Sequence, residues 1–221
     1  MSKTDVAEAV LDQSVIAIVR AASADDAHRA ATALLQAGLR AVEISLVTPG
    51  ALDVIRDLAG TGRPEAHIGV GTVLRAREVT AAARAGAEFI VSPILDTEVV
   101  SATMALGLLS VPGVATPSEA VRAKFLGADF LKLFPASAWS PAVMGDVLAA
   151  VPDLAFVPTG GISLEDAPAW IGAGAVAVGM GGALTRGAPA DVPARVASLL
   201  ARLKEAGQSA GVVAPGGLSS V

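Results

Sequence analysis

The chain has no cysteine and no tyrosine, only two histidines, and an aromatic content of 3%. Without cysteine there is no disulfide and no thiolate metal site, and the redox compartment stays open. His28 falls in a helical stretch and His67 opens an apolar run, with no Asp/His cluster beside either. They supply no metal-ligand set. So few aromatics exclude a stacking platform for single strands, and a net charge of -5 argues against a nucleic-acid partner. The opening residues Met1-Ser2-Lys3-Thr4-Asp5-Val6-Ala7-Glu8 hold no apolar signal core, so a cytoplasmic protein is the default expectation. Two long uncharged stretches, Val99 to Ser118 and Ala167 to Thr185, are broken by glycines, and the first also by Pro112 and Pro117. Both read as helix, turn and strand, not as membrane spans.

What is present is apolar: 53% of the 221 residues, much of it alanine and glycine. Short apolar runs alternate with amphipathic stretches along the whole length. Strands are predicted at Val15–Val19, Ala41–Ile44, His67–Val70, Glu88–Val91, Leu108–Val111, Phe130–Leu133, Ala155–Val157 and Val176–Val178. Helix starts are signalled by Ser23-Ala24-Asp25-Asp26, Thr116-Pro117-Ser118-Glu119 and Ser163-Leu164-Glu165-Asp166. Gly38, Gly86, Gly107, Gly127 and Gly172 are placed to close helices. This βαβα alternation, with no break in composition, predicts a parallel sheet in one domain. Eight evenly spaced units favour a closed α/β (β/α)8 TIM barrel over an open doubly wound sheet. That domain is expected over residues 1–206, with an extra N-terminal helix over Thr4–Leu11 covering the barrel bottom. A flexible C-terminal tail without charge is expected from Gly207 to Val221.

Lys132 breaks one of the apolar runs, Asp129-Phe130-Leu131-Lys132-Leu133-Phe134-Pro135. A strand apolar on both faces is buried, and an ammonium there needs a partner or gives up its proton. A neutral lysine attacks carbonyl carbon. The plainer alternative is a lysine whose stem runs along the strand end while its head reaches water.

The other strand ends weigh against that alternative. In a (β/α)8 barrel the active site lies at the C-terminal ends of the strands. Read in order, those ends carry Arg20, Glu43, Gly71-Thr72, Pro93, Pro112-Gly113, Lys132, Gly160-Gly161 and Gly179 to Gly182. Glu43 also interrupts an apolar strand, where it either pairs with Lys132 or Arg20 or moves protons. The turns Thr159-Gly160-Gly161-Ile162 and Gly179-Met180-Gly181-Gly182 follow the last two strands, where such barrels often hold phosphate. Phe134 and Trp139 are candidates to roof an apolar pocket, although packing is the commoner fate of such residues.

Seven segments, in this order, resemble the class I aldolases acting on 2-keto-3-deoxy-6-phospho sugar acids. They are Ile16-Ala17-Ile18-Val19-Arg20, Val42-Glu43-Ile44, Gly69-Val70-Gly71-Thr72-Val73, Val91-Ser92-Pro93, Pro112-Gly113-Val114-Ala115-Thr116, Leu131-Lys132-Leu133-Phe134-Pro135 and Pro158-Thr159-Gly160-Gly161-Ile162. The resemblance implies a (β/α)8 barrel that forms a homotrimer and needs no metal or organic cofactor. It implies a Schiff base on Lys132, proton transfer by Glu43, and a keto-acid carboxylate held by Arg20 and Thr72. Pro93, Phe134, Thr159, Gly160, Gly161, Gly181 and Gly182 complete the expected substrate contacts.

Two departures refine this reading. Where the phosphogluconate branch carries an arginine, this chain has Val47; Glu43-Ile44-Ser45-Leu46 with Thr48-Pro49 is similar to the phosphogalactonate branch, as is Ser137-Ala138-Trp139-Ser140-Pro141. Gly182 stands where the family commonly has a phosphate-binding serine, which predicts a weaker hold on phosphate. The leading expectation is cleavage of such an acid, the galactonate epimer first, to pyruvate and glyceraldehyde 3-phosphate. The alternatives are an aldolase for an unphosphorylated keto acid such as 4-hydroxy-2-oxoglutarate, a metal-independent sugar-phosphate isomerase or epimerase, and a binding protein using Lys132 as a counter-ion.

Overall fold

The structure is a computed structural model and describes residues 2–63 and 65–210. After helix α1 (Lys3–Gln13), strands and helices alternate: β1 (Val15–Val19), α2 (Ala24–Gln36), β2 (Ala41–Ser45), α3 (Ala51–Ala59), β3 (His67–Gly71), α4 (Ala76–Ala85) and β4 (Phe89–Val91). Then come α5 (Thr97–Ala105), β5 (Leu109–Val111), β6 (Gly113–Val114), α6 (Pro117–Phe125), β7 (Leu131–Leu133), α7 (Pro141–Ala150) and β8 (Phe156–Pro158). The chain ends in α8 (Ala167–Gly172), β9 (Val178–Met180), α9 (Gly182–Thr185) and α10 (Val192–Ala210).

Every strand pairing is parallel. The strands form a curled six-stranded sheet in the order β5-β4-β3-β2-β1-β9 and a three-stranded sheet in the order β6-β7-β8. Only Pro112 separates β5 from β6, and proline has no N–H to give to a ladder. Its carbonyl still accepts from the Lys132 amide at 2.9 Å, so hydrogen bonds cross this seam. At the other seam the Val176 amide donates to Phe156 at 3.0 Å, and Thr159 pairs with Gly179.

The pleat sorts the side chains. Val15, Ala17, Val19, Val42, Ile44, Ile68, Val70, Leu131 and Leu133 point outward into the core shared with the helices. Ile16, Ala41, Phe89, Leu109, Phe130, Val157 and Ala177 point inward. Val6, Ala7 and Val10 of α1 pack on this inner cluster, so the N-terminal helix plugs one end of the strands as expected. Gly69 leaves room for the Phe89 ring; an added Cβ would sit 2.3 Å from it.

Helix ends follow the sequence signals at most positions. Ser23 and Thr116 accept the expected backbone N–H bonds, and Gly38, Gly86, Gly107 and Gly127 all take positive φ. The third signal is displaced. The Ser163 hydroxyl accepts from the Asp166 amide in a turn, and α8 begins only at Ala167. Gly172 lies within α8, and the left-handed glycine is Gly174. The last strand runs two residues later than predicted, because Gly179 belongs to the ladder rather than to a turn. Both long uncharged stretches resolve into helix, turn and strand, and among the described residues no helix is long and apolar enough to cross a membrane. Of the tail expected from Gly207, residues 207–210 belong to α10, and residues 211–221 lie outside the described residues.

Candidate active site

On β1, β2 and β7 the inward face carries one side chain in the core layer and the next, two residues on, in a cavity. On β1 the series is Ile16, Ile18, Arg20; on β2 it is Ala41 then Glu43; on β7 it is Phe130, Lys132, Phe134. A two-residue period fixes this outcome, and a one-residue slip would send every one of these groups into the helix layer. The cavity has a volume of about 670 Å³, within the range of small-molecule sites. Arg20, Glu43, Thr72, Pro93, Lys132, Phe134, Thr159, Gly160, Gly161, Gly181 and Gly182 all line it, so the structure brings together every expected contact residue.

Lys132 is 6% exposed and Glu43 is 2% exposed. Lys132 Nζ lies 5.3 Å from the centre of the Phe134 ring, so the ring forms one wall beside it. Burial pushes the Glu43 carboxyl above the ordinary carboxylate range, and Lys132 and Arg20 pull it partly back. The salt bridge between Glu43 and Lys132 or Arg20, one of the two options for this carboxylate, is not formed. Among the described residues all ion pairs lie elsewhere. Glu43 fits because the neighbouring strand gives way: a Cβ on Gly71 would stand 1.6 Å from its Oε1. On the far wall Gly179 does the same for Thr159, whose Oγ1 would be 2.2 Å from an added Cβ.

The rim is held by polar contacts. Thr72 takes φ 62, an unusual conformation for a β-branched residue, and its hydroxyl meets the Ser45 hydroxyl at 2.7 Å. The buried Thr48 hydroxyl accepts from the Ala21 amide at 3.2 Å, which ties the loop after β2 to the residue following Arg20. Val47 is 56% exposed and does not line the cavity. Gly160 and Gly161 take φ 101 and 81, with the Phe134 ring close to Gly160. Trp139 is not a roof of this cavity. It lines a separate depression on the other side of the Gly160-Gly161 turn.

Three polar lining residues are not among those expected from the sequence: Ser163, Thr185 and Arg186. Arg186 matters most. Basic side chains in the cavity outnumber acidic ones three to one, Arg20, Lys132 and Arg186 against Glu43, which favours an anionic ligand. The histidines stay away from the cavity as expected, His67 being buried with its Nδ1 2.9 Å from Glu88.

Parallel strands ending in a cavity that holds a buried amine and a buried carboxylate are the layout of an α/β enzyme. A family model described as "Aldolase: KDPG and KHG aldolase" matches residues 6–192, and the chain belongs to that family of carbon–carbon lyases. The 2-dehydro-3-deoxy-6-phosphogalactonate aldolase of Escherichia coli strain K12 is 38% identical over 173 residues, 78% of this chain and 84% of the relative. A solved structure described as native KDPGal matches with a TM-score of 0.82 and 34% identity, over 88% of this chain and 96% of that one. The KDPG aldolase of Legionella pneumophila, with pyruvate captured at low pH as a covalent carbinolamine, matches with a TM-score of 0.74 and 26% identity. That match covers 94% of this chain and 98% of the other.

Proposed function

We propose that this aldolase cleaves a 2-keto-3-deoxy-6-phospho sugar acid, the galactonate epimer in preference to the gluconate, through an imine on Lys132. The carrying observation is that Lys132 and Glu43, both buried, face one cavity without an ion pair between them. The Lys132 amine adds to the C2 carbonyl, and the carbinolamine loses water to give an iminium. The C3–C4 bonding pair then flows into the iminium as the C4 hydroxyl loses its proton, which releases glyceraldehyde 3-phosphate and leaves an enamine. Protonation at C3 and hydrolysis return pyruvate and the free amine. Glu43, with its carboxyl raised by burial, carries these protons. The carbinolamine in the Legionella relative is the adduct the first step would form.

Arg20 and Thr72 hold the keto-acid carboxylate, Pro93 and Phe134 wall the reacting carbons, and Thr159, Gly160, Gly161, Gly181 and Gly182 face the phosphoryl end. Preference for the galactonate epimer is supported by Val47, which offers no cation, and by the Escherichia coli relative. We further propose that the two sheets close as one (β/α)8 barrel within a single domain, and that the active form is a homotrimer. Light scattering in solution tests the last point, since a monomer at working concentration would remove it.

Pyruvate with borohydride tests the chemistry. One reduced pyruvyl group is expected on the peptide containing Lys132; no adduct during turnover would favour an isomerase, which needs no imine. The family description also covers KHG aldolases, so 4-hydroxy-2-oxoglutarate is the second substrate to try. Equal efficiency on both substrates would put the unphosphorylated reading first. A further consequence concerns Gly71. Gly71→Ala forces the Glu43 carboxylate out of its present position and is expected to slow turnover about 10²-fold, the scale of an ångström-level misplacement. Circular dichroism separates this from unfolding, and full activity in a folded variant would show that this placement is not used.

A further inference from the structure

We infer that Arg186 is the specificity residue for the phosphoryl end of the substrate, and that Gly182 exists in this chain to admit it. This rests on the aldolase reading above and extends it to a residue that the reading does not use. Arg186 is four residues beyond Gly182, and its amide donates to the Gly182 carbonyl at 2.9 Å. At that spacing a side chain folds back over the earlier residue. Here it does so closely: a Cβ on Gly182 would lie 2.9 Å from Arg186 Nε, 3.2 Å from Cζ and 3.3 Å from Nη2. The guanidinium therefore lies on the bare α-carbon of Gly182, in the space any side chain at 182 would take. The absent serine hydroxyl is replaced by a cation with several donors, not simply lost.

Three further observations fit. Arg186 lines the cavity together with Gly160, Gly161 and Ser163. No carboxylate pairs with it among the described residues, so its charge is available to a ligand. Its backbone is anchored from α10, where the Arg195 guanidinium donates to the carbonyls of Leu184 at 2.8 Å, Ala188 at 2.9 Å and Arg186 itself. A planar guanidinium on an anchored backbone suits a phosphate dianion, which accepts paired N–H bonds. Arg20 and Arg186, which line the same cavity as Lys132, would thus each take one anionic end of the substrate. The weaker phosphate hold expected from Gly182 is revised accordingly.

Arg186→Gln is expected to lower kcat/KM for the phosphorylated acid, relative to 4-hydroxy-2-oxoglutarate, by about 10–100-fold, as for loss of hydrogen bonds to a charged group. Direct binding of inorganic phosphate, measured by calorimetry, should weaken in parallel, and Arg186→Lys should restore part of both. Gly182→Ser should also weaken phosphate binding while Arg186 is present, but not in the Arg186→Gln background. Pyruvate trapping on Lys132 in each variant shows that the fold and imine chemistry survive. Unchanged phosphate binding in Arg186→Gln, or tighter binding in Gly182→Ser with Arg186 in place, overturns the inference. Failure of the aldolase reading would look different: no adduct on Lys132 in the native enzyme. The phosphate measurement decides the role of Arg186 even then.

Discussion

Lys132→Ala is expected to lose about 10⁴–10⁶-fold in kcat, the scale of removing a covalent nucleophile. The loss is that large because, among the described residues, no other amine lines the cavity to take over. The remaining basic groups there are Arg20 and Arg186, and a guanidinium stays protonated and does not form imines. Lys132→Arg should therefore be no better than alanine, although it keeps the charge. Lys132→Met keeps the length of the stem without an amine to desolvate, so its thermal stability should equal or exceed that of the native chain. This pairing of lost turnover with retained stability marks a residue kept for chemistry. A stable Lys132→Met variant with turnover near the native rate would place the nucleophile elsewhere.

Much of this arrangement is legible in the sequence, because a strand's pleat converts residue spacing into direction. Phe130-Lys132-Phe134 and Ala41-Glu43-Ser45 share a period of two, so once the outward residues meet helices, Lys132 and Glu43 must face inward. The seven strands predicted up to the one found at Phe156–Pro158 fall within one residue of their predicted limits for the same reason. The eighth does not, since glycine is read as punctuation. Gly179 instead sits in the ladder, where its missing side chain makes room for Thr159. Pro112 was equally opaque: its lost donor divides one apolar run between two sheets.

The parts of the site that sequence missed depend on contacts across strands or along a helical turn. Nothing in Gly71 announces that it vacates space for Glu43, because that contact joins β2 to β3. Arg186 was hidden because it follows the glycine turn and resembles any surface arginine until its side chain is seen over Gly182. One signal was available: a glycine where a donor was expected, with a cation four residues later, is a helical-spacing pair. Trp139 failed the other way. Its place just after β7 suggested a roof, but the Gly160-Gly161 turn lies between it and Lys132.

Glu43→Gln is expected to slow turnover about 10²–10⁴-fold, the usual range for general acid/base catalysis, while Lys132 still traps pyruvate slowly. Among the described residues it is the one carboxylate lining the cavity, so carbinolamine dehydration and enamine protonation both depend on it. The same replacement should change stability in a pH-dependent way. The folded carboxyl is raised above the ordinary value of about 4.5 by burial, against the pull of Lys132 and Arg20. The stability associated with its proton is therefore fully present below about pH 4.5 and is lost as pH rises through the elevated folded value. Glutamine cannot ionise and escapes that loss. Glu43→Gln should thus melt increasingly above the native protein as pH climbs through this window, and the gap should close in acid. Thermal unfolding of both proteins from about pH 4 to 8 reads the effect directly. A gap independent of pH would mean that burial does not govern this carboxyl. Near-native exchange of pyruvate methyl protons with deuterated solvent in Glu43→Gln would assign the proton carrier to another group.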